Sequence, residues 1–353
     1  MLIIKLTTVL FIITNFLFIS CNNTISPDKS FNSYNNRGEY RIMFYNVENF
    51  FDIYNDSLTQ DDEFLPEGDK HWNYNRFTDK LNKIYKVIIA VGGNEAPEII
   101  GLCEIENRHV LNKLIYNTPL SKYEYEIVHQ DSPDNRGIDV ALLLRKDKLS
   151  LLKKGFFNIT FAWDSLKKTR DILYIKGLTP GEDTLHIFVN HWPSRYKGQL
   201  ETESFRIYVA SVLRNKIDSI FNINKESNII ITGDFNDEPQ NKSIKEILSA
   251  ETNFDTIISN KLYNLSSNLS NSTKSGSLKY KFAWEMFDQF IVSGSLLDSD
   301  KISTTLNDIH IFNPDFLLEE DNIYSGYRPY RTYRGYKYTG GFSDHLPIFL
   351  DLK

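Results

Sequence analysis

Cysteine is scarce in this sequence. Its 353 residues include two cysteines, Cys21 and Cys103. No cysteine cluster is therefore available to hold zinc, and the fold must be stabilised by its hydrophobic core rather than by a disulfide framework. The composition can supply that core, because 41% of the residues are hydrophobic, and the 20 Tyr and 24 Phe favour a fold rich in β-sheet.

Positive charge is not in excess. The chain has 40 Lys and Arg against 46 Asp and Glu, which gives a formal net charge of −6. Such a protein has no overall attraction for nucleic acid or anionic membranes, so any polyanion must bind to a local basic patch. The chain also lacks a Gly-x-Ser-x-Gly motif, a P-loop and a dinucleotide fingerprint at a strand-to-helix turn. These absences argue against a serine esterase, an NTPase and a dehydrogenase.

The N-terminal segment differs from the rest of the chain. Its first 20 residues contain one charged side chain, Lys5, and an apolar run that is short for a membrane span but typical of a secretion signal. Cys21 follows a small residue, which resembles a bacterial lipoprotein signal. We predict a signal peptide over 1–20, lipidation of Cys21, a flexible tether over 21–38 and one folded domain over 39–353. The protein would then be exported and held at the membrane by its lipid, in the periplasm or on the cell surface.

Hydrophobic periodicity predicts alternating strands and helices after the tether. The predicted helices are 75–91, 108–116, 201–220 and a short one near 244–248. The predicted strands are 41–46, 99–103, 125–128, 139–144, 155–159, 172–176, 185–190, 229–231, 287–292 and 348–352. Residues 259–277 are rich in Asn and Ser, and we expect a mobile loop there.

Polar side chains stand at the ends or starts of five strands. The apolar run 229–231 leads to Asp234 and Asn236, whose spacing of two puts both side chains on one side of an extended backbone. The other four positions are Asn46, Glu104, His191, and Asp344 with His345. Each one alone has a structural alternative, such as a surface carboxylate or a core histidine. Their repetition at strand ends favours a functional site, because loops there carry chemistry.

These groups also limit the chemistry. Carboxylate and amide oxygens favour Mg²⁺, Mn²⁺ or Ca²⁺ over zinc. A hard cation, two histidines and a water-orienting Asp/Asn pair suit the hydrolysis of a phosphate ester, in which charge on the phosphoryl oxygens must be stabilised and water placed in line.

The order of the motifs resembles that of the endonuclease/exonuclease/phosphatase superfamily over residues 40–353. The matching motifs are Asn46-Val-Glu-Asn49, Glu104-Ile-Glu-Asn107, Arg136-Gly-Ile-Asp139, Asn190-His-Trp-Pro193, Gly233-Asp-Phe-Asn-Asp237, Asp288-Gln289 and Ser343-Asp-His-Leu-Pro347. The resemblance implies an α/β four-layered sandwich, in which helices flank two stacked mixed β-sheets. It also implies an active site at one edge, where loops from both sheets meet.

The resemblance assigns the metal and the attacking water to specific residues. Glu104 would bind the divalent cation with help from Asn46 and Asp344. Asp234 would orient or deprotonate the attacking water, and Asn236 would hold that water or the phosphate.

The resemblance gives the two histidines different roles. His345, polarised by Asp288, would contact the scissile phosphate. His191 would protonate the leaving oxygen or stabilise the transition state. Whether Asp234 or the His345–Asp288 pair acts as the general base stays open.

Substrate-binding candidates are less sharply defined. Arg136, Asp139, Asn190 and Arg195 suit substrate binding and structural roles equally. In residues 324–338 Tyr recurs every third residue, and Arg328, Arg331, Arg334 and Lys337 recur in another register. An extended segment with this period has one aromatic and one basic edge, which suits a nucleic acid backbone with stacked bases and equally a sugar or inositol phosphate. The alternative is a loop that packs its tyrosines on the sheet.

The sequence therefore predicts an exported, monomeric, metal-dependent phosphodiesterase or nuclease. One alternative is a phosphatase or phosphodiesterase acting on lipid head groups, inositol phosphates or other small phosphoesters, although the sequence shows no apolar hairpin for membrane entry. The other is a catalytically inactive surface lipoprotein that only binds its ligand, which the full set of motif residues disfavours.

Overall fold

The computed structural model describes residues 37–93, 95–270 and 275–353. The predicted signal peptide, the lipidated Cys21 and most of the tether lie outside the described residues. No helix in those three ranges is both long enough and apolar enough to cross a membrane.

Three α-helices occur in the described residues. They are α1 (Tyr74–Gly92), α2 (Arg108–Tyr116) and α3 (Gln199–Ile223). The Asn73 side chain accepts hydrogen bonds from the first backbone N–H groups of α1, and that of Asn107 accepts one from Val110 in α2. Short 3₁₀ turns cover Asp62–Phe64, Pro119–Tyr123, Leu265–Asn268, Gly294–Leu296 and Asp315–Leu317, and a π-type turn covers Ser243–Ile247.

The strands form two large mixed sheets and three small hairpins. In chain order they are β1 (Tyr40–Phe50), β2 (Ile99–Ile105), β3 (Tyr125–His129), β4 (Asp139–Arg145), β5 (Ser150–Phe157), β6 (Ile172–Leu178), β7 (Thr184–His191), β8 (Asn228–Asp234), β9 (Ala250–Glu251), β10 (Leu262–Asn264), β11 (Leu278–Tyr280), β12 (Ala283–Glu285), β13 (Asp288–Ser293), β14 (Ile309–Ile311), β15 (Leu318–Glu320), β16 (Tyr327–Pro329), β17 (Tyr333–Arg334), β18 (Lys337–Tyr338) and β19 (Ile348–Leu352). The first sheet has the order β14-β19-β1-β2-β4-β3, and the second β5-β6-β7-β8-β13-β10-β9. The hairpins are β11-β12, β15-β16 and β17-β18.

Each large sheet contains a parallel pair of inner strands, and the carboxyl ends of both pairs lie at the same edge of the fold. β1 pairs in parallel with β2, and β7 with β8. β13 runs antiparallel to β8, so that its first residue, Asp288, lies opposite Asp234 at the end of β8. The sheet connectivity therefore brings strand ends from distant parts of the chain to one edge.

Alternation along the strands builds three apolar layers. Ile42 and Phe44 of β1 face the interior between the two sheets, whereas Met43 and Tyr45 face α1 and α2. A third cluster packs the other face of the second sheet against α3. The four-layered α/β sandwich expected from the resemblance is therefore correct.

Several local predictions were wrong. The edge strand β5 begins at Ser150 rather than at residue 155. Within the expected mobile loop over 259–277, the structure has β10, whose three side chains are buried, and a 3₁₀ turn with buried Leu265 and Ser266, whereas residues 271–274 lie outside the described residues. The expected extended segment over 324–338 folds into parts of two hairpins. The hairpin β11-β12 also exposes Tyr280 and Phe282, an apolar tip that the sequence did not reveal.

Candidate active site

Strained backbone marks the strand ends that carry functional groups. Glu48, Glu104 and Asn236 all have positive φ, at 51°, 62° and 50°, a conformation that non-glycine residues adopt rarely. Glu104 also coincides with a register shift between β2 and β4, and such irregularities re-aim a side chain. Gly233 has φ of 154°, and a Cβ there would lie 2.3 Å from the carbonyl oxygen of Asn190, so the close approach of β7 and β8 requires glycine.

Asp234 is the centre of the site. Its Oδ2 accepts a hydrogen bond from Asn46 Nδ2 at 3.1 Å and lies 3.6 Å from His191 Nε2 and 3.8 Å from His345 Nε2. Its Oδ1 accepts a hydrogen bond from the backbone N–H of Asn236 at 2.9 Å. Burial raises the pKa of Asp234 to about 7, and Asp288 adds to the rise although the charge of His345 opposes it. This carboxyl group is therefore suited to accept a proton near neutral pH.

Glu104 lies beside this centre. Its Oε2 accepts a hydrogen bond from the backbone N–H of Asn49 at 2.9 Å. Its Oε1 lies 3.4 Å from Asn46 Nδ2 and 4.0 Å from His191 Nε2. The carboxylate thus stands between the ends of both parallel strand pairs.

His345 is held by a carboxylate. Its Nδ1 lies 2.6 Å from Asp288 Oδ2, and its backbone N–H donates to Ser343 Oγ at 3.1 Å. Burial alone would lower the pKa of His345, but Asp288 and Asp234 raise it well above its ordinary value. His345 is therefore positively charged, and its Nε2 faces Asp234.

His191 has the opposite environment. It is buried, and its Nδ1 has no hydrogen-bond partner among the residues that the structure describes. Burial lowers the pKa of His191 well below its ordinary value, and the positive charges of Arg170 and Arg136 lower it further. His191 is therefore a neutral imidazole that can donate one hydrogen bond.

Asp344 belongs to an ion-pair network next to this centre. Its Oδ2 accepts from Arg331 Nη2 at 2.9 Å, and the same guanidinium donates through Nε to Glu48 Oε1 at 3.1 Å. Glu48 also accepts a hydrogen bond from the backbone N–H of Thr332 at 2.6 Å. The buried Lys80 joins the network through Thr332, because its Nζ donates to Thr332 Oγ1 at 2.5 Å and also to the carbonyl of Phe342 at 2.6 Å.

The side chains of three predicted residues support the loops of the site. Asn236 Nδ2 donates to the carbonyl of Trp192 at 3.0 Å. Asn190 accepts from the Trp192 indole at 3.1 Å. Arg195 donates to the carbonyl of Asn236 at 2.8 Å and to Asp237 Oδ1 at 3.1 Å. These bonds tie the turn after β7 to the turn after β8.

The remaining predicted residues pair elsewhere. Arg136 is bound to Asp134, and Arg334 forms an ion pair with Glu319. Asp139 lies 3.1 Å from His129 Nε2 and accepts a hydrogen bond from the backbone N–H of Ser132 at 2.8 Å. Within the described ranges, no hydrogen bond or ion pair joins Arg136, Asp139 or Arg334 to Asp234.

Comparison with known proteins identifies the family of this chain. Residues 41–353 match the sequence profile of the Endonuclease/Exonuclease/phosphatase family. The chain belongs to this family. A search of the curated proteins finds none that matches.

Solved structures share the family fold at low sequence identity. Humanized TDP2 of D. rerio has 14% identity and a TM-score of 0.54, with 89% of this chain and 98% of that chain covered. The catalytic domain of human Nocturnin has 17% identity and a TM-score of 0.53, with coverage of 89% and 94%. A mannosyl-6-phosphatase of Bacteroides thetaiotaomicron has 17% identity and a TM-score of 0.53, with coverage of 89% and 99%.

The donors present fit the divalent metal that enzymes of this family use. Five carboxylates meet around the ends of β1, β2 and β8, and three basic groups oppose them. The carboxylates are those of Glu48, Glu104, Asp234, Asp288 and Asp344, and the basic groups are Lys80, Arg331 and His345. This excess of negative charge and oxygen donors suits a hard cation.

Sequence reasoning missed four charged residues that lie around this candidate site. Glu48 and Lys80 belong to the Arg331 network, and Asp134 and Arg170 lie on the His191 side. Glu48 stands inside the motif at the end of β1 and could have been found there. Asp134 stands two residues before Arg136, with which it pairs, and could also have been found there. Lys80 and Arg170 pair with residues far away in the sequence, so no local pattern reveals them.

Proposed function

We propose that this protein is a divalent-metal-dependent phosphodiesterase or nuclease that cleaves a P–O bond by in-line attack of water. The observation that carries the proposal is the convergence of Asn46, His191 and His345 on one carboxylate, Asp234. A base, a charged imidazole and a neutral donor at one point match the needs of phosphoryl transfer. A D. rerio TDP2 structure is described as a complex with a single-strand DNA product, which agrees with phosphodiester chemistry in this fold.

Glu104, Asn46 and Asp344 are the residues that would hold the cation, and a bound cation would neutralise phosphate charge and make water more acidic. Asp234 takes a proton from the attacking water, whose oxygen forms the new bond to phosphorus. His345 places its positive charge against the phosphoryl oxygens.

The leaving oxygen departs with the electron pair of the broken bond. His191, as a neutral imidazole, stabilises that oxygen by a hydrogen bond, and the oxygen takes its proton from solvent. Asn236 fixes the turn that carries Asp234 through its bond to the Trp192 carbonyl.

A small phosphoester is the second candidate substrate. The arginines of residues 324–338, expected to follow a nucleic acid backbone, are each paired with acids. Arg328 pairs with Glu319 and Asp321, and Arg331 with Glu48 and Asp344. This neutralisation favours a compact ligand, and the mannosyl-6-phosphatase neighbour acts, by its name, on a sugar phosphate.

Export as a lipoprotein stays part of the proposal. Palmitate labelling of the full chain in a bacterial host should mark the protein, and Cys21→Ala should abolish the label. Sedimentation of the purified protein at the mass of one chain would support the monomer, and a larger species would contradict it.

Hydrolysis assays test the proposed activity. Plasmid DNA, RNA, bis-p-nitrophenyl phosphate, p-nitrophenyl phosphate and inositol phosphates are each offered with Mg²⁺, Mn²⁺, Ca²⁺ or chelator. We expect chelator-sensitive cleavage of the diester that Asp234→Ala abolishes. Cleavage of the monoesters alone would favour the small-phosphoester candidate. Intact substrates throughout would contradict hydrolysis and favour a binding protein.

A further inference from the structure

A cavity of about 680 Å³ lies away from the catalytic edge, between the outer face of the second sheet and the last turns of α3. Strands β5, β6 and β7 form one wall, and the helix forms the other. His186 on the sheet wall precedes His191 by five positions along β7, which is roughly 17 Å of strand. Pockets for small organic molecules have volumes of about 300–1,000 Å³. This cavity, which we call the α3 cavity, is therefore large enough for such a ligand.

Aromatic rings line the sheet wall of the α3 cavity. The ring centroid of Tyr174 lies 6.0 Å from that of Phe157, 6.0 Å from that of His186 and 4.9 Å from that of Phe188. Tyr174 Oη also lies 2.8 Å from His186 Nδ1, and this hydrogen bond fixes the imidazole. On the helix wall Ile223 is 89% exposed. A wall of this kind suits a flat apolar group, because such groups stack on aromatic rings.

A row of basic residues crosses the same wall. In the antiparallel pairing of β5 with β6, Lys153 lies directly opposite Lys176, and Lys176 lies opposite His186 of β7. Residues that are directly opposite each other in a sheet point to the same face, and like charges in these positions are destabilising. The two ammonium groups therefore repel each other, and an anion placed between them would remove that repulsion.

A third lysine approaches from the helix. Lys216 Nζ lies 4.6 Å from the centre of the Phe157 ring. Among the described residues, no hydrogen bond or ion pair engages the ammonium group of Lys153, Lys176 or Lys216. Three lysines without acidic partners thus surround the aromatic wall.

Two acidic side chains also line the α3 cavity. Asp183 Oδ1 lies 4.0 Å from Lys301 Nζ, a lysine outside the lining, and Glu226 is exposed after the end of α3. With Asp183 set against Lys301, three lysines face Glu226, which leaves an excess of two positive charges. His186 adds no charge at neutral pH, because burial and Lys176 lower its pKa to about 4. The α3 cavity is thus positively charged on a protein of net charge −6.

We propose that the α3 cavity is a second binding site, which takes a small organic anion with a flat apolar body, such as an aromatic carboxylate. The apolar body packs on the rings of Phe157 and Tyr174, and the anionic group contacts the ammonium groups of Lys153 and Lys176. No step of the proposed hydrolysis uses these residues, so the proposal stands independently of the catalytic activity.

Three probes separate the two parts of the ligand. Calorimetric titrations of the purified protein compare 2-naphthoate, its neutral analogue 2-naphthylmethanol, and acetate, which has no ring. We expect 2-naphthoate to bind about tenfold more tightly than 2-naphthylmethanol at low salt, since a charged contact distinguishes them, and acetate not to bind detectably. The advantage should shrink as salt rises, because salt screens exposed charges. Equal affinities for the two naphthyl compounds would overturn the proposal.

Lys176→Gln tests the basic row, and Lys154→Gln is its matched control. Lys154 is exposed on the same edge strand and lies opposite Ile175, so alternation puts its side chain on the other face of the sheet. We expect Lys176→Gln to weaken the binding of 2-naphthoate about tenfold, and Lys154→Gln to leave it unchanged. An unchanged affinity in Lys176→Gln, or an equal fall in Lys154→Gln, would contradict the site.

Two further measurements distinguish a binding lysine from a structural one and locate the ligand. Lys176→Gln removes a like-charged pair, so without ligand it should be at least as stable to urea as the parent protein. Lower stability would assign Lys176 a structural role and overturn the proposal. The NMR signal of the His186 imidazole should shift when 2-naphthoate binds, because the naphthalene ring current acts on nearby protons. A shift of the exposed His71 signal instead would place the ligand elsewhere and overturn the proposal.

Discussion

The two histidines of the catalytic edge have opposite electrostatic environments. On one side Asp288 and Asp234 surround His345 and keep it charged. On the other side burial, Arg170 and Arg136 keep His191 neutral. Both imidazoles point Nε2 at the same Asp234 oxygen, within 3.8 Å. The burial and the neighbouring charges of each ring, rather than the rings themselves, therefore decide which histidine supplies charge and which supplies a hydrogen bond.

The largest effect should come from the group that both sides share. Asp234→Asn keeps the size of the side chain but removes the base, so we expect hydrolysis to fall about 10³-fold. Initial rates on the best substrate measure this change. The control is Asp131→Asn, an exposed carboxylate with 83% of its side chain accessible. A loss of less than tenfold would mean that Asp234 is not the base.

Substitution of the two histidines should separate their roles. We expect about a 10²-fold loss for His345→Gln, which removes a charge, and about a tenfold loss for His191→Gln, which removes a neutral donor. Aryl and alkyl leaving groups are compared for both variants. If His191→Gln harms the alkyl ester far more than the aryl ester, His191 is a general acid and its assigned role is wrong.

The charge on His345 depends on its partner. In Asp288→Asn the pKa of His345 should fall, because a neutral amide replaces the carboxylate that raises it, and hydrolysis should fall about tenfold. Because the pKa of His345 is raised in the folded state, this histidine stabilises the fold at pH values below its unfolded pKa. That contribution is lost as the pH rises through its folded-state pKa. Imidazole NMR of the metal-free protein measures the shift, and an unchanged His345 titration would contradict this account.

The smallest effect concerns a third histidine on the same strand as His191. Tyr174 Oη lies 2.8 Å from His186 Nδ1, and burial with Lys176 lowers the pKa of His186 to about 4. A folded pKa below the unfolded one means that stability is lost as pH falls from about 6.5 to about 4. After allowance for solvent screening we expect about 1 kcal/mol.

Urea unfolding at pH 7 and pH 4.5 measures that loss. His186→Phe should reduce the difference between the two pH values, whereas His71→Phe at an exposed position should leave it unchanged. An equal pH dependence in the parent protein and in His186→Phe would show that other groups carry it.

Local signals allowed much of the fold to be predicted. The bounds of α2 agree because Asn107 is both a motif residue and a helix cap, and those of β19 agree because its apolar run is short and distinct. β5 is an edge strand whose exposed face leaves no burial pattern. β10 was missed because its buried Asn264 is satisfied by Gln289 at 2.7 Å, so its polar composition resembles that of a loop.

The candidate site also has a part that the sequence predicts and a part that only the fold reveals. Groups at the end of a strand, such as Asp234 and His191, could be predicted from the sequence. Arg331 and Glu48 are 283 positions apart, and their ion pair follows only from the packing of the hairpins against β1. The same holds for the tyrosines of 324–338, since Tyr330, Tyr333 and Tyr338 pack on the core.

The course of β1 has a practical consequence for handling this protein. The strand starts at Tyr40, which pairs with Leu352 near the C-terminus, and reaches Asn46 about 20 Å later. A linker or affinity tag that enters the described fold at Arg37 or leaves it at Lys353 is therefore attached at the end of β1 and β19 that lies away from the catalytic groups. Immobilisation through either of these two points should leave the catalytic groups accessible to macromolecular ligands.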